Sequence, residues 1–167
     1  MALKQVLQGR GLPHPLHPML VHFPVGLWGA SLIFDIASKA TGNPNVGNGL
    51  VITSYYCILV GVIVAGLAAV TGLAEFIDIP RNTRARSVGL IHFALNVGLL
   101  AGYIIQLIVR DTHAASVGTG VFVFNIIETV VLLVSGYYGG KLAFEYGVGT
   151  RTSINPQTER AKLRRVA

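Results

Sequence analysis

Four long apolar segments dominate this chain and leave it few ways to fold. They cover residues 18–38, 50–77, 88–109 and 120–144. Each has at least the ~20 residues that a helix needs to cross the hydrocarbon core of a bilayer. Only 12% of the 167 residues are charged, against about 25% in soluble domains. The sequence therefore predicts an all-α protein, an integral membrane four-helix bundle that reads as two hairpins without a convincing internal repeat.

The basic residues predict how this bundle is oriented. With four spans, the N-terminal segment 1–17, the middle loop and the C-terminal segment 147–167 lie on one side of the membrane. Of the thirteen Lys and Arg residues, only Lys39 and Arg110 fall on the other side. Because basic segments favour the cytoplasmic side, we expect both termini to be cytoplasmic. Residues 18–146 then form the transmembrane domain between a cytoplasmic N-terminal segment and a basic cytoplasmic tail.

Histidines and prolines crowd the entrance to the first span, where residues 13–24 read PHPLHPMLVHFP. His22 lies about four residues inside the first span and His92 about four residues inside the third, or ~6 Å at the helical rise. Both spans begin on the same side, so the two imidazoles come from different helices at a similar depth. An ionisable side chain inside a bilayer is costly and indicates a function.

Two neutral imidazoles on separate helices are the ligands that a bis-histidine haem requires. We therefore expect His22 and His92 to bind haem b. Arg84 and Arg86 precede the third span and are candidates to meet the haem propionates. Asn96 lies one helical turn beyond His92, where it would act as a hydrogen-bond partner of that ligand.

The same end of the bundle also offers donors for a transition metal ion. Imidazoles and carboxylates together suit zinc, copper or iron. The candidate metal ligands are His14, His17, His22, His92, Glu75 and Asp78. The spacing of the first three histidines matches no standard zinc pattern, so the identity of the metal stays open.

Two other interpretations remain beside the cofactor site. The polar residues at this end can be purely structural, since ion pairs near membrane ends often only hold a loop. The protein would then be a non-catalytic structural or accessory subunit. Alternatively, Glu128 near the membrane middle, with Asn125 on the same helix face, indicates a proton or ion pathway or a hydrogen-bonded acid. Asp35 and Arg110 are expected to form a structural pair, and Trp28 to pack inside the bundle.

Three stretches resemble the motifs of an uncharacterised family of small four-helix bacterial membrane proteins, classed as a domain of unknown function. They are HPMLVHFP at 17–24, RSVGLIH at 86–92 and YGGKLAFEYGVG at 138–149. Tyr146 stands where the family is expected to carry a histidine, which removes one possible metal ligand. Domains that the chain resembles are sometimes joined to Rieske-type iron–sulfur domains. The resemblance therefore implies a redox association and a location in the bacterial cytoplasmic (inner) membrane, but no activity.

Catalysis and nucleic-acid binding have little support in the sequence. We find no nucleophile elbow and no glycine-rich phosphate loop, so a non-enzymatic role is favoured. The basic tail lacks interleaved aromatic residues, which favours lipid headgroups over nucleic acid. A chain of this size suits a homodimer or a subunit with a redox-complex partner. The leading hypothesis is a redox-associated membrane protein that binds haem b or a metal.

Overall fold

A computed structural model describes residues 3–9 and 15–150 of the chain. These residues form one short helix, four long helices and the loops between them. The helices are α1 (Leu3–Leu7), α2 (Leu16–Ala40), α3 (Pro44–Phe76), α4 (Arg84–Val109) and α5 (Thr119–Phe144). Each of the four long helices is long and apolar enough to cross a membrane. The predicted all-α, four-helix membrane architecture is confirmed, while most of the expected tail lies outside the described residues.

The starts of α3 and α4 are set by side-chain caps. The Asn43 side chain accepts hydrogen bonds from the backbone N–H groups of Asn45 and Val46, at 3.0 and 3.4 Å. Pro44 occupies the first position of α3. A backbone N–H at that position would have no acceptor within the helix, so proline loses no hydrogen bond there. Thr83 caps α4 in the same way, through the backbone N–H of Arg86. Helix α3 therefore begins before the apolar run that the sequence suggested.

The long helices pack as two antiparallel hairpins, α2 with α3 and α4 with α5. The hairpins meet where α3 contacts α4 and α2 contacts α5. We call the end of the bundle where α2 and α4 begin the histidine end, and the end where they finish the arginine end. Large apolar side chains face outwards on every long helix: Ile33, Ile63, Ile108 and Leu133 are all more than half exposed. Such a surface suits lipid.

An apolar cluster fills the middle of the bundle. We call it the central apolar layer, and it consists of Trp28, Ile58, Leu99, Tyr103 and Leu132. All four long helices contribute to it. The buried polar residues on its arginine-end side include a carboxylate, a guanidinium and several amides and hydroxyls. The bundle is thus apolar outside and partly polar inside, which is the reverse of a soluble domain.

The two hairpins are structural repeats, which the sequence analysis did not find. His17 lies beside His92, Trp28 stacks on Tyr103 and Asp35 pairs with Arg110. Each pair joins α2 to α4, and the partners are always 75 positions apart in the chain. Equivalent residues therefore meet along the bundle centre. This is the relationship expected of parallel repeats around an approximate twofold axis along the membrane normal.

Candidate functional site

The histidine end contains a close pair of imidazoles. His17 on α2 and His92 on α4 have ring centres 6.4 Å apart, with 84° between the ring planes. Both rings are largely enclosed by the helices. The pair lies on the line where the two hairpins face each other.

Each imidazole is held by a backbone carbonyl of the neighbouring helix in its own hairpin. Nδ1 of His17 lies 2.8 Å from the carbonyl oxygen of Ala68, and Nδ1 of His92 lies 3.0 Å from that of Ser135. A carbonyl oxygen only accepts, so the Nδ1 atoms carry the ring hydrogens and the Nε2 atoms carry the lone pairs. A lone pair on Nε2 with Nδ1–H anchored is the arrangement of metal-binding histidines.

Glycines one helical turn beyond these carbonyls make room for the two rings. A Cβ on Gly72 would lie 2.7 Å from Cε1 of His17, and a Cβ on Gly139 would lie 3.0 Å from Cε1 of His92. The distance at Gly72 is shorter than carbon atoms of two side chains can approach, and the distance at Gly139 is at the lower limit of such contacts. The two hairpins therefore build the same histidine pocket twice, from a carbonyl and a glycine on one helix.

Asn96 lies beside His92, where the sequence placed it. Its amide nitrogen donates to Ser135 Oγ at 2.7 Å and to the backbone oxygen of His92 at 2.7 Å. An amide nitrogen has two hydrogens, so these two bonds use both. The same nitrogen is 3.2 Å from His92 Nε2, a longer contact than the two bonds at 2.7 Å, so Asn96 competes only weakly for the Nε2 lone pair.

The structure does not bring His22 to His92. His22 is exposed on α2, and five residues at 100° per residue turn it about 140° around the helix from His17. The sequence analysis placed His22 level with His92, but His17 is the residue beside His92, and His22 lies five residues, or about 7.5 Å, further along α2. His14 lies outside the described residues.

The charged candidates at this end have other partners. Asp78 forms a salt bridge with Lys4 and accepts from Gln8 Nε2 at 2.5 Å. Arg86 donates to the carbonyl oxygen of Phe76 at 2.7 Å and closes the C-terminal end of α3. Arg84 is exposed. These contacts hold the short helix and the α3–α4 loop in place.

Glu75 faces a small cavity rather than the imidazole pair. The cavity has a volume of about 320 Å³ and is also lined by Gln8, Asp78 and Tyr146. The Oε1 atom of Glu75 is buried and has no hydrogen-bond partner among the described residues. Nowhere within residues 3–9 and 15–150 do three or more His, Cys, Asp or Glu side chains assemble around one possible metal position. The histidine end therefore offers two imidazoles and no third protein donor from its described part.

A second polar cluster fills the interior at the arginine end. We call it the buried polar network, and it comprises Ser31, Asp35, Ser54, Gln106, Arg110, Asn125 and Glu128. It draws side chains from all four long helices. The sequence analysis expected one structural ion pair here and considered Glu128 separately.

The ion pair at its centre is fully formed. The Nη1 and Nη2 atoms of Arg110 donate to the two carboxylate oxygens of Asp35, at 2.6 and 3.0 Å. The same guanidinium donates to Ser54 Oγ at 3.1 Å and to Gln106 Oε1 at 2.6 Å. The predicted pairing of Asp35 with Arg110 is confirmed, and it connects α2, α3 and α4.

Helix α5 completes the network. The Asn125 amide donates to Asp35 Oδ2 at 2.7 Å and to Ser31 Oγ at 3.2 Å. Glu128 accepts a hydrogen bond from the Gln106 amide through Oε2. Glu128 is therefore hydrogen-bonded to α4 and not to Asn125. Periodicity placed both residues on one face of α5, but only the structure shows their partners.

Comparison with known proteins identifies a family but no characterised relative. A family model described as "Predicted membrane protein (DUF2231)" matches residues 13–152. No curated protein and no solved structure matches the chain.

Proposed function

This chain belongs to the DUF2231 family of predicted membrane proteins, and we propose that it is a redox-associated membrane subunit that binds haem b between His17 and His92. The observation that carries this proposal is the pair of imidazoles 6.4 Å apart, each anchored through Nδ1. The proposal keeps the bis-histidine chemistry expected from the sequence and replaces His22 by His17.

The separation of the two rings suits a shared metal. Two imidazoles that both bound one ion through metal–nitrogen bonds of about 2.0–2.1 Å would have ring centres up to roughly 6 Å apart. The carbonyls of Ala68 and Ser135 keep both Nδ1–H groups occupied, which leaves Nε2 as the ligand atom on each ring. Anchoring of this kind also sets ring orientation and ligand basicity.

Haem fits a two-imidazole site better than a bare metal ion does. A structural zinc ion takes four ligands, and the described residues supply only the two imidazoles at this place. A haem brings four ring nitrogens of its own and needs only axial ligands from the protein. Held by His17 and His92, a bound haem would supply electron transfer. Arg84, exposed at this end, is the more available candidate to meet a propionate, since Arg86 already donates to the carbonyl oxygen of Phe76.

The charge distribution supports a cytoplasmic position for the histidine end. Lys4, Arg81 and Arg84 lie at this end, whereas Lys39 and Arg110 are the only basic residues of the described ranges at the other. We therefore place the protein in the bacterial cytoplasmic membrane with its imidazole pair in the inner leaflet. Electrons would be exchanged with a partner on the cytoplasmic side, within a redox complex or across a homodimer.

The test is a reduced-minus-oxidised absorption spectrum of the protein purified in mild detergent after haem-supplemented expression. We expect a low-spin b-type signal that His17→Ala and His92→Ala each abolish. His22→Ala is the matched control, because it removes an imidazole from the same helix on its exposed face. That variant should keep the full signal.

Two results would overturn haem binding through this pair. One is a signal that persists in His17→Ala, or that disappears only in His22→Ala. The other is a colourless wild-type protein. Metal analysis of a colourless protein then separates a two-imidazole site for a bare metal ion from a metal-free accessory subunit whose polar groups are structural.

A further inference from the structure

The buried polar network holds more acid than base. Both carboxylate oxygens of Asp35 accept from Arg110, so the guanidinium charge is already balanced. The other titratable group facing Glu128 is Tyr103 of α4, and α3 contributes the hydroxyl of Ser54. Glu128 is only 4% exposed. An ionised Glu128 would therefore place an unbalanced negative charge inside the bundle, where it is costly.

The hydrogen bonds around Glu128 suit a protonated acid. Its Oε2 accepts from Gln106, while its Oε1 is buried with no partner in the described part of the chain. Asn125 lies three residues earlier on the same face of α5, and its Oδ1 is a second buried acceptor in the same situation. If Oε1 of Glu128 carried a proton, it would become a hydrogen-bond donor instead of an acceptor without a partner. The network would then gain one hydrogen to donate.

Space for this oxygen is made by a glycine. A Cβ on Gly102 would lie 2.0 Å from Oε1 of Glu128, so a side chain at that position of α4 would force the Glu128 carboxyl group to move. The chain thus accommodates a carboxyl group in its interior at the expense of a side chain on the facing helix. Two observations therefore suggest a functional role for Glu128: Gly102 leaves room for its carboxyl group, and the network holds more carboxyl groups than guanidinium groups.

We propose that Glu128 is a proton-exchange site inside the membrane domain, which holds a proton and exchanges it with the aqueous phase at the arginine end. On release, the O–H bond of Glu128 breaks, its electron pair stays on the carboxylate, and a base in water takes the proton. No electron is transferred, and no haem is required. The carboxylate that forms lies in the same network as Arg110, which offsets part of its cost.

Hydrogen bonds lead from the network towards the arginine end. Ser38 Oγ donates to the backbone oxygen of Asp35 at 2.8 Å and accepts from the backbone N–H of Val117 in the α4–α5 loop at 3.2 Å. Towards the histidine end, the central apolar layer closes the bundle with Trp28, Leu99 and Leu132. The exchange is therefore expected from one side of the membrane.

Infrared spectroscopy of the full chain in detergent tests this proposal. We expect the carbonyl-stretch band of a protonated carboxylic acid at neutral pH, lost in Glu128→Gln. Transfer to deuterium oxide should shift the band, because the proton exchanges with water. Glu145→Gln is the control: it removes an exposed carboxylate at the histidine end and should leave the band intact.

A second variant distinguishes the charge argument from a merely structural hydrogen bond. Asp35→Asn removes the carboxylate that balances Arg110 while leaving Glu128 in place. Glu128 should then become the counter-ion of the guanidinium and lose its proton, so its band should disappear at neutral pH. A structural acid that only bonds Gln106 would keep it.

Three results would overturn the proposal. The first is the absence of any protonated-carboxyl band from the wild-type protein at neutral pH. The second is a band that survives Glu128→Gln. The third is a band that does not shift after prolonged exposure to deuterium oxide, since a proton that never reaches water is not exchanged. The deuterium measurement uses the unmodified protein, so it stands even if a variant fails to fold.

Discussion

Trp28 and Tyr103 stack with their ring centres 4.1 Å apart and only 20° between the ring planes. This contact joins the two hairpins at the middle of the bundle and separates the histidine pair from the buried polar network. Offset aromatic stacking of this kind contributes about 0.5–1.5 kcal/mol beyond the burial of the rings. The stacked rings therefore lie between the two candidate sites, and each site is testable without the other.

Adding a methyl group at Gly61 should disturb this stack. A Cβ there would lie 2.3 Å from Nε1 of Trp28, and the Trp28 side chain is buried in the core. We expect Gly61→Ala to destabilise the protein by about 1–3 kcal/mol, as overpacked cores do. The measurement is thermal unfolding in detergent followed by the fluorescence of Trp28, which is the only tryptophan in the sequence.

Gly66→Ala is the matched control on the same helix. No atom lies within 4 Å of a Cβ at that position, and alanine favours a helix over glycine by about 1 kcal/mol. Its unfolding temperature should equal or exceed that of the wild type. Equal behaviour of the two variants would show that Trp28 is not held against Gly61.

Gly72→Ala and Gly139→Ala should weaken haem binding without removing a ligand. The added methyl group at Gly72 pushes on the His17 ring at 2.7 Å, and that at Gly139 meets His92 at 3.0 Å. Because the first contact is tighter, we expect the larger loss of b-type absorbance in Gly72→Ala. The measurement is haem content per protein by absorbance.

The control for this pair is Gly136→Ala on α5, where a Cβ meets no atom within 4 Å. It should retain wild-type haem content. If Gly72→Ala also retains it, His17 does not bind haem in the orientation seen here, and the site needs another geometry.

The sequence was enough to predict the four-helix fold, some residues of the histidine end and some residues of the buried polar network, and each prediction rested on a different feature. The length and apolarity of the segments were enough for four helices. Depth along the helix axis was enough to bring Asp35 towards Arg110, because both lie near the same end. Depth did not identify His17 because the first span was taken to begin at Pro18, whereas α2 begins at Leu16. The choice of histidine also depends on which side of α2 faces the bundle. That rotation is set by packing against α3, which a single sequence does not reveal.

The repeat escaped sequence analysis for a chemical reason. Of the three pairs along the bundle centre, only His17 and His92 are identical residues. Trp28 and Tyr103 are both aromatic but differ in kind, and Asp35 and Arg110 carry opposite charges. Residues that face each other across the bundle need complementary side chains rather than identical ones. The two repeats therefore differ at these positions, and the sequence shows little similarity between them.

Asn43→Ala should shorten or loosen the start of α3. The Asn43 side chain accepts from two backbone N–H groups, at 3.0 and 3.4 Å, and losing such a cap costs about 1 kcal/mol. We expect a correspondingly lower free energy of unfolding, measured by denaturant titration in mixed micelles. Asn45→Ala serves as the control, because Asn45 is exposed and contributes its backbone N–H to the cap. If both variants lose the same stability, the cap is not the cause.

The ion pair between Asp35 and Arg110 should show strong coupling in a double-mutant cycle. Removing Arg110 leaves the buried Asp35 carboxylate without its partner, which costs about 3–5 kcal/mol. Removing Asp35 should cost less, because Glu128 can ionise and balance the guanidinium. Removing both in Asp35→Ala/Arg110→Ala avoids that penalty, so the double variant should be more stable than the sum of the single effects implies. The measurement is the free energy of unfolding of the wild type, both single variants and the double variant. Lys39→Ala, an exposed basic residue at the same end, should change it by no more than about 0.5 kcal/mol. Additive single effects would mean that the pair carries little interaction energy and that the network does not depend on it.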